Sequence, residues 1–337
     1  MESEQRFVEI GRSQSSEGHS CDTRHMFPRA RANPIILATL MALVVGGVEQ
    51  ASAATKPTKT RIPSPTLQAG PWKVLAVKSR NLEEVSGCAF SKRDSNRVWL
   101  HNDSGDGPTV IPVDIKSGAV GPSVTISGVE VDDPEDIAMT SNGDLILADI
   151  GDNDEKRSSI QLYRFPEPVL DAVSASGTRL DFEYPDGPHN AEALVVSPDG
   201  SRAYIFTKES SGEAEVFQAN LNGPKEPGST ASTKQVLSQM GRVTLRGERI
   251  IKPNLVTGAD AVGSTVILRS YQYGYILSVP KGGQISDAIK ATPQRFDVPP
   301  MVQAEAICAS TDGRTLVTAS ESRGADTFAL AVGLMPR

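Results

Sequence analysis

Residues 135–147 read EDIAMTSNGDLIL, and this stretch is the strongest indication of the fold because it recurs along the chain. It contains a carboxylate, a short apolar strand, a turn in which Asn precedes Gly, and a second apolar strand. Residues 192–200 read EALVVSPDG and residues 305–313 read EAICASTDG, and all three align without gaps. Asn-Gly and Asp-Gly favour tight hairpins because they tolerate positive φ. The sequence therefore predicts one repeated supersecondary unit.

Two less regular copies complete the series. The first has strands at 86–91 and 97–102, and its carboxylate, Glu84, stands two residues early on the same face of the strand. The second, degenerate copy spans 256–263 and contains Asp260. It fills a gap, because Glu135 and Glu192 are 57 residues apart whereas Glu192 and Glu305 are 113 apart, about twice as far.

Each copy continues into further strands. Third strands are predicted at 110–115, 160–165, 215–220, 275–279 and 328–332, and fourth strands at 123–127, 179–184, 241–246 and 295–298. The last copy lacks a fourth strand, whereas residues 72–78 form a strand that precedes the first copy. That strand can close a ring and remove two sheet edges. We therefore predict an all-β β-propeller of about five four-stranded blades over residues 72–337, closed by 72–78. A sixth blade within 210–255 and a β-sandwich are the alternatives.

The N-terminal segment has the pattern of an export signal. Arg29 and Arg31 precede an uncharged apolar run, 34–48, and the small residues 51–53 follow it. The run is shorter than the about 20 residues that a membrane span needs. We expect an upstream segment and signal peptide over 1–53, a flexible spacer over 54–71, and a protein secreted or held in the cell envelope without a stable membrane span. A retained anchor is the alternative.

Composition limits the partners and the cysteine chemistry. The net charge is -7, and the absence of a basic stripe argues against nucleic acid as a partner. A small anionic substrate or a cell-envelope component is expected instead. Cys88 and Cys308 would remain after cleavage and could pair in an oxidising compartment. They occupy non-equivalent positions in the repeat, so we expect two buried thiols.

The repeated carboxylates predict an acidic axial site. The innermost strands of a propeller line its channel, so Glu135, Glu192 and Glu305 should converge there with Glu84 and Asp260. Carboxylates confined together repel one another, so protons or a cation must neutralise them. Oxygen ligands favour Ca²⁺ over Mg²⁺ or Mn²⁺. The alternative is that these acids cap strand ends by bonding to the next blade.

Polar residues at the ends of second strands extend this site. Two oxygen-rich loops with a Gly, residues 101–106 and 149–153, have the composition of calcium loops or of ordinary Asx turns. His101, near the first loop, and His189, near Glu192, are candidate acids or bases or inert surface residues. Arg269 and Lys208 end two other second strands and could bind an anion.

These assignments lead to a candidate set of site residues. We expect His101, Glu135 and Glu192 to be catalytic, and Arg269, Lys208 and His189 to bind substrate. The usual signatures of a nucleophile are absent from the sequence, so an enzyme would use water activated by a metal.

The motifs HNDSGD (101–106), DIGDN (149–153), YRFPEP (163–168) and AEAL (191–194) resemble a family of secreted bacterial β-propeller proteins of unsettled function. More distantly the pattern is similar to the SMP-30/gluconolactonase group and to esterase-like phytases, whose axial acids bind a divalent cation. The resemblance implies Glu84, Glu135, Glu192 and Glu305 as axial metal ligands, supported by Asp103 and Asp149.

Three functions remain open from the sequence. The first is a metal-dependent hydrolase of phosphoesters or lactones with a divalent cation, Ca²⁺ by preference. The second is a non-catalytic binding or scaffolding propeller of the cell envelope with structural calcium. The third is a sugar hydrolase with two opposed carboxylates, which the aromatic content of 5% disfavours.

Overall fold

The computed structural model describes residues 66–103, 105, 107–222, 233–245, 254–322 and 326–336. The predicted signal peptide (1–53), most of the predicted spacer, and Ser104 and Asp106 of the first oxygen-rich loop lie outside the described residues. No helix in the described part of the chain has both the length and the hydropathy to cross a membrane.

The described strands form five sheets, and each sheet is one blade of the propeller. Two strands precede the blades: β1 (Thr66–Leu67) and β2 (Lys73–Lys78). Blade 1 contains β3 (Val85–Phe90), β4 (Arg97–Asn102), β5 (Thr109–Asp114) and β6 (Val124–Ser127). Blade 2 contains β7 (Pro134–Met139), β8 (Asp144–Asp149), β9 (Ile160–Pro166) and, after the short β10 (Ser174–Ser176), β11 (Thr178–Glu183).

The remaining blades follow the same plan. Blade 3 contains β12 (Ala191–Val196), β13 (Arg202–Thr207), β14 (Glu213–Asn220) and, after β15 (Gln235–Val236), β16 (Ser238–Thr244). Blade 4 contains β17 (Val256–Val262), β18 (Thr265–Ser270), β19 (Tyr273–Ser278) and, after the helix α1 (Ile285–Ala288), β20 (Gln294–Asp297). Blade 5 contains β21 (Ala304–Ala309), β22 (Thr315–Ser320) and β23 (Thr327–Leu334). The prediction of five blades is confirmed.

The first hairpins of the blades contain the predicted turns. Gly143, Gly200 and Gly313 have φ of 90°, 68° and 66°. L-residues with a β carbon rarely adopt such values, so Gly allows the two strands to reverse within a few residues. Each turn places the end of a second strand beside the start of the innermost strand, where the candidate site lies.

The ring closes as predicted. Strand β2 pairs with β23, with Val74 opposite Ala331, and forms the outermost strand of blade 5. Joining segments from the two ends of the propeller in one sheet leaves no open blade at the seam.

Short parallel strands cover three of the outer edges. β1, β10 and β15 pair with the outermost strands of blades 4, 1 and 2. Each short strand lies just before the outermost strand of the following blade, so the segment that leads into that outermost strand also protects an edge of the preceding blade. Thr66 and Leu67 pair with Arg295 and Phe296, although they belong to the segment predicted as a spacer.

A buried disulfide links the innermost strands at the seam of the ring. Cys88 of β3 and Cys308 of β21 are bonded, with their Cα atoms 5.7 Å apart. The expectation of two buried thiols is therefore wrong. Non-equivalent positions can meet because the innermost strands of blades 5 and 1 lie side by side, and this brings the fourth residue of β3 against the fifth of β21.

Candidate metal centre

The innermost strands share an irregularity near their starts. The ladder to the second strand shifts register directly after the first residue of every innermost strand. A bulge leaves one residue out of the ladder and re-aims its side chain. These second residues are Ser86, Glu135, Glu192, Thr257 and Glu305. Glu84 is not one of them, because it precedes β3 at the position that Asp133 holds before β7.

The two uncharged members of this layer bind the next blade. The Ser86 hydroxyl donates to the backbone oxygen of Glu135 at 2.7 Å and contacts the Glu135 carboxylate at 3.2 Å. The Thr257 hydroxyl donates to the backbone oxygen of Ala304 at 3.2 Å. The strand-capping role that was the alternative for the Glu residues thus belongs to Ser86 and Thr257.

Three carboxylates from blades 1 and 2 form a compact group. Asp103, Asp133 and Glu135 each place one oxygen so that all three atoms lie within 4.8 Å of one another. Two ligands on opposite sides of Ca²⁺ are about 4.6–5.2 Å apart, twice the usual bond length. The group, which we call the oxygen cluster, therefore has the dimensions to hold one cation.

Gly151 leaves the space that these carboxylates occupy. A β carbon at this position would overlap the side chains of both Asp133 and Glu135, and the Gly151 amide donates to the Asp133 backbone oxygen at 3.0 Å. The glycine of the second oxygen-rich loop thus forms one wall of the oxygen cluster. Its role is to let the backbone approach the acids, not to form a sharp turn.

Asp149 supports the oxygen cluster without being one of its three carboxylates. Its buried carboxylate accepts the backbone amides of Asp132 at 3.2 Å and Asp133 at 2.9 Å. Arg157 neutralises it, with Nη1 2.8 Å from Oδ1, and also donates to the Gly151 carbonyl at 2.8 Å. Asp149 therefore fixes the segment that carries Asp133.

The opposite side of the layer contains a cation and a phenol. Lys208 Nζ donates to Glu192 and lies 5.6 Å from the centre of the Tyr271 ring. The Tyr271 hydroxyl donates to Glu305 at 3.1 Å. Tyr271 was missed in the sequence, although it directly follows a second strand, as Asp103 and Lys208 do. This equivalent position in the repeat is the signal that could have identified Tyr271.

Burial makes these acids hold protons near neutral pH. Burial, then the charge of Asp103, raises the pKa of Asp133 to about 7. Burial likewise raises the pKa of Glu192 to about 7, against the opposing effect of Lys208. Burial and the charge of Glu192 raise the pKa of Glu305 to about 8 and that of Glu135 well above its usual value. A cation that bound here would displace these protons.

Deeper in the channel, Asp136 ties three blades together. Its carboxylate accepts amides from Ile137 of its own strand, Leu194 of β12 and Ala259 of β17, at 2.8, 2.8 and 3.2 Å. The innermost strands have no neighbour toward the axis, so their amides need side-chain acceptors there. Asp260, expected among the axial acids, does the same further down by accepting the Ala309 amide at 2.8 Å.

His101 and Arg269 are buried between blades. They pair across the first hairpin with Gly87 and Gly258. The missing side chain of Gly87 leaves room for the His101 ring, whereas Gly258 allows the Glu305 backbone to approach. His101 Nδ1 donates to the Asn102 carbonyl at 2.7 Å, and burial lowers its pKa to about 4. Arg269 is fully buried, and its Nε donates to Thr318 at 3.1 Å.

The structure thus brings together only part of the candidate set. Asp103, Glu135, Glu192, Glu305 and Lys208 meet at one end of the channel, with Asp133 and Tyr271 added. His189 lies elsewhere and contacts Asp186 at 2.9 Å.

Comparisons with known proteins show no matching family model and no matching curated sequence. Three solved structures are similar in shape. A gluconolactonase from Xanthomonas campestris has 12% identity and a TM-score of 0.43, with 80% of this chain and 94% of that chain covered. Hydrazine synthase from Kuenenia stuttgartiensis has 12% identity and a TM-score of 0.35, with 72% and 56% covered. The Pan2 WD40 domain from Neurospora crassa has 9% identity and a TM-score of 0.33, with 77% and 66% covered. Similarity at this level leaves the function to be argued from the residues of the site.

Proposed function

We propose that this protein is an exported, metal-dependent hydrolase of phosphoesters or lactones, and that the oxygen cluster holds its cation. The observation that carries the proposal is the convergence of Asp103, Asp133 and Glu135 within 4.8 Å, in a space that Gly151 leaves open. One buried and two half-buried acids are rarely gathered in this way unless a cation or protons neutralise them.

The donor set fits Ca²⁺. All three groups are carboxylates, which are the hard oxygen ligands that Ca²⁺ and Mg²⁺ prefer over softer metals. Ca²⁺ takes six to eight ligands, so three side chains leave positions for water and substrate. When bound, such a cation supplies Lewis-acid polarisation and a water with a lowered pKa.

Other residues at the site are suited to move protons and hold charge. Glu192, with a pKa of about 7, can accept a proton from water near neutral pH. Lys208 holds the Glu192 carboxylate in place and adds the positive charge that an anionic substrate needs. We assign no catalytic role to His101, because its ring is buried and its Nδ1 proton is used by Asn102.

Export is supported by two features of the chain. The segment 1–53 has the pattern of a signal peptide, and Cys88 and Cys308 form a disulfide. Disulfides persist in oxidising compartments outside the cytoplasm.

The test combines cation binding with activity. Calorimetric titration of chelator-treated protein with Ca²⁺ is expected to give one strong site, which Glu135→Gln and Asp133→Asn weaken on the order of 100-fold. Asp154→Asn is the matched control, because Asp154 is an exposed acid of a neighbouring loop that pairs with Lys156. Hydrolysis of a phosphoester and lactone panel should depend on Ca²⁺ and on Glu192.

The outcomes separate the competing functions. Ca²⁺ binding that raises the melting temperature, with no hydrolysis of either substrate class, would favour the scaffolding propeller with structural calcium. No Ca²⁺ binding, or equal binding by Glu135→Gln and wild type, would overturn the metal site itself.

A further inference from the structure

A second group of metal-binding side chains lies beside blade 3, and it shares no residue with the oxygen cluster. Asp186 and His189 come from the loop that joins β11 to β12, and Glu215 lies on β14. One potential ligand atom from each lies within 4.8 Å of the other two. Unlike the oxygen cluster, this group includes an imidazole.

The loop holds its two ligands in a defined arrangement. Pro185 and Pro188 restrict its backbone, and Gly187 has a φ of 115° that favours glycine. His189 Nε2 is 2.9 Å from Asp186 Oδ1. The imidazole also packs against the rings of Tyr184 and Phe217, with centroids 4.8 and 5.0 Å away.

The buried hydroxyl of Tyr184 is a second observation beside this group. Its side chain is buried, and its hydroxyl has no hydrogen-bond partner among the described residues. Burial raises its pKa; the charge of Arg157 opposes this shift, and the charges of Asp152 and Asp186 add to it. The Tyr184 ring itself contacts the His189 ring. A buried hydroxyl without a partner costs free energy, which a water on a bound ion would recover.

The charges around this group favour a bound metal ion, although the Arg242 guanidinium already supplies one positive charge there. Arg242 pairs with Glu215, and Gln239 donates to the other Glu215 oxygen at 2.8 Å. Each carboxylate oxygen keeps a second lone pair. Asp186, Glu215 and Glu213, which lies 3.7 Å from Arg242, set three carboxylates against the Arg242 guanidinium.

We propose that Asp186, His189 and Glu215 form a second metal site that takes a transition metal of the Zn²⁺ type. One imidazole and two carboxylates match the ligands of Zn²⁺, whereas Ca²⁺ prefers oxygen alone. Three protein ligands leave at least one position for water. Binding requires that the proton between His189 and Asp186 be released, because the metal needs a free nitrogen lone pair.

The experiment titrates the purified, chelator-treated full chain with Zn²⁺ in competition with a chromophoric chelator. Wild type is expected to bind one Zn²⁺ more tightly than His189→Ala by on the order of 100-fold. Asp186→Asn should weaken binding as well, and it serves as the second variant if His189→Ala does not fold. Co²⁺ should give visible absorption in wild type that His189→Ala lacks.

Two controls keep this site separate from the first. Asp154→Asn should bind Zn²⁺ as wild type does. Glu135→Gln should lose Ca²⁺ binding but keep Zn²⁺ binding, so failure of one site is distinguishable from failure of the other. Absence of Zn²⁺ binding in wild type, or equal affinity in the folded His189→Ala and Asp186→Asn variants, would overturn the proposal.

Discussion

Without a divalent cation, this protein should become less stable as the pH rises from about 5 to about 8. Glu305 has a pKa of about 8 in the folded chain, raised from 4.5 by burial and by the charges of Glu192 and Glu321. Between these two values the folded state binds more protons than the unfolded state. Linkage then requires that stability is fully present below about pH 4.5 and falls as the pH rises through about 8.

The size of this loss of stability follows from the shift in the pKa of Glu305. A rise from 4.5 to about 8 corresponds to about 5 kcal/mol in total, of which about 3–4 kcal/mol falls between pH 5 and pH 8. For a domain of this size, about 3 kcal/mol lowers the melting temperature by roughly 10 °C. Glu192 and Asp133, both raised to about 7, act in the same direction.

Thermal unfolding in chelator across this pH range measures the slope. Repeating it with Ca²⁺ should remove the part of the slope that comes from Asp133, which the cation keeps ionised, and leave the part that comes from Glu305. Glu305→Gln should reduce the slope while its amide oxygen still accepts from Tyr271. Asp154→Asn should keep the wild-type slope. A melting temperature in chelator that is constant or rises between about pH 5 and pH 8 would refute the reasoning.

Three further predictions concern single features of the fold. Gly151→Ala should weaken Ca²⁺ binding at least about tenfold in calorimetry, since the added carbon overlaps Asp133 and Glu135; unchanged affinity would mean that Gly151 does not shape the oxygen cluster. Asp136→Ala should lower the free energy of unfolding in urea by at least about 3 kcal/mol, because three amides lose their acceptor; a loss below about 1 kcal/mol would show that water replaces it. Replacing Cys88 and Cys308 by Ala should cost about 5 kcal/mol, from the 220-residue separation, and should abolish the effect of a reductant on the melting temperature; a variant as stable as the oxidised wild type would contradict this.

The repeat was sufficient to predict most of the fold. The three aligned hairpins, the two weaker copies and the strand at 72–78 predicted five blades and their closure, because strand alternation and turn residues act over a few positions. The same periodicity placed Glu135, Glu192 and Glu305 at equivalent positions of innermost strands. In the structure these positions form one layer.

Strand alternation and turn residues did not predict the contacts between blades. Asp133 belongs to the oxygen cluster, although it was not among the predicted ligands. Glu84, which was among them, holds the equivalent position in blade 1. His101 and Arg269 are the next-to-last residues of second strands, and each pairs with a glycine of the innermost strand. The missing side chain of Gly87 leaves the space that the His101 ring occupies. The spacing of residues along the sequence does not show that the residue opposite, on the innermost strand, is a glycine.

The repeat predicted about five blades, where they turn and which acids recur, since each of these depends on residues close together in the chain. Which acids share a site, that Cys88 meets Cys308, and that Asp186, His189 and Glu215 lie together became visible in the folded ring alone. Those pairings depend on how neighbouring blades stagger against one another and on which way bulged residues point, and both are set by packing across the whole ring.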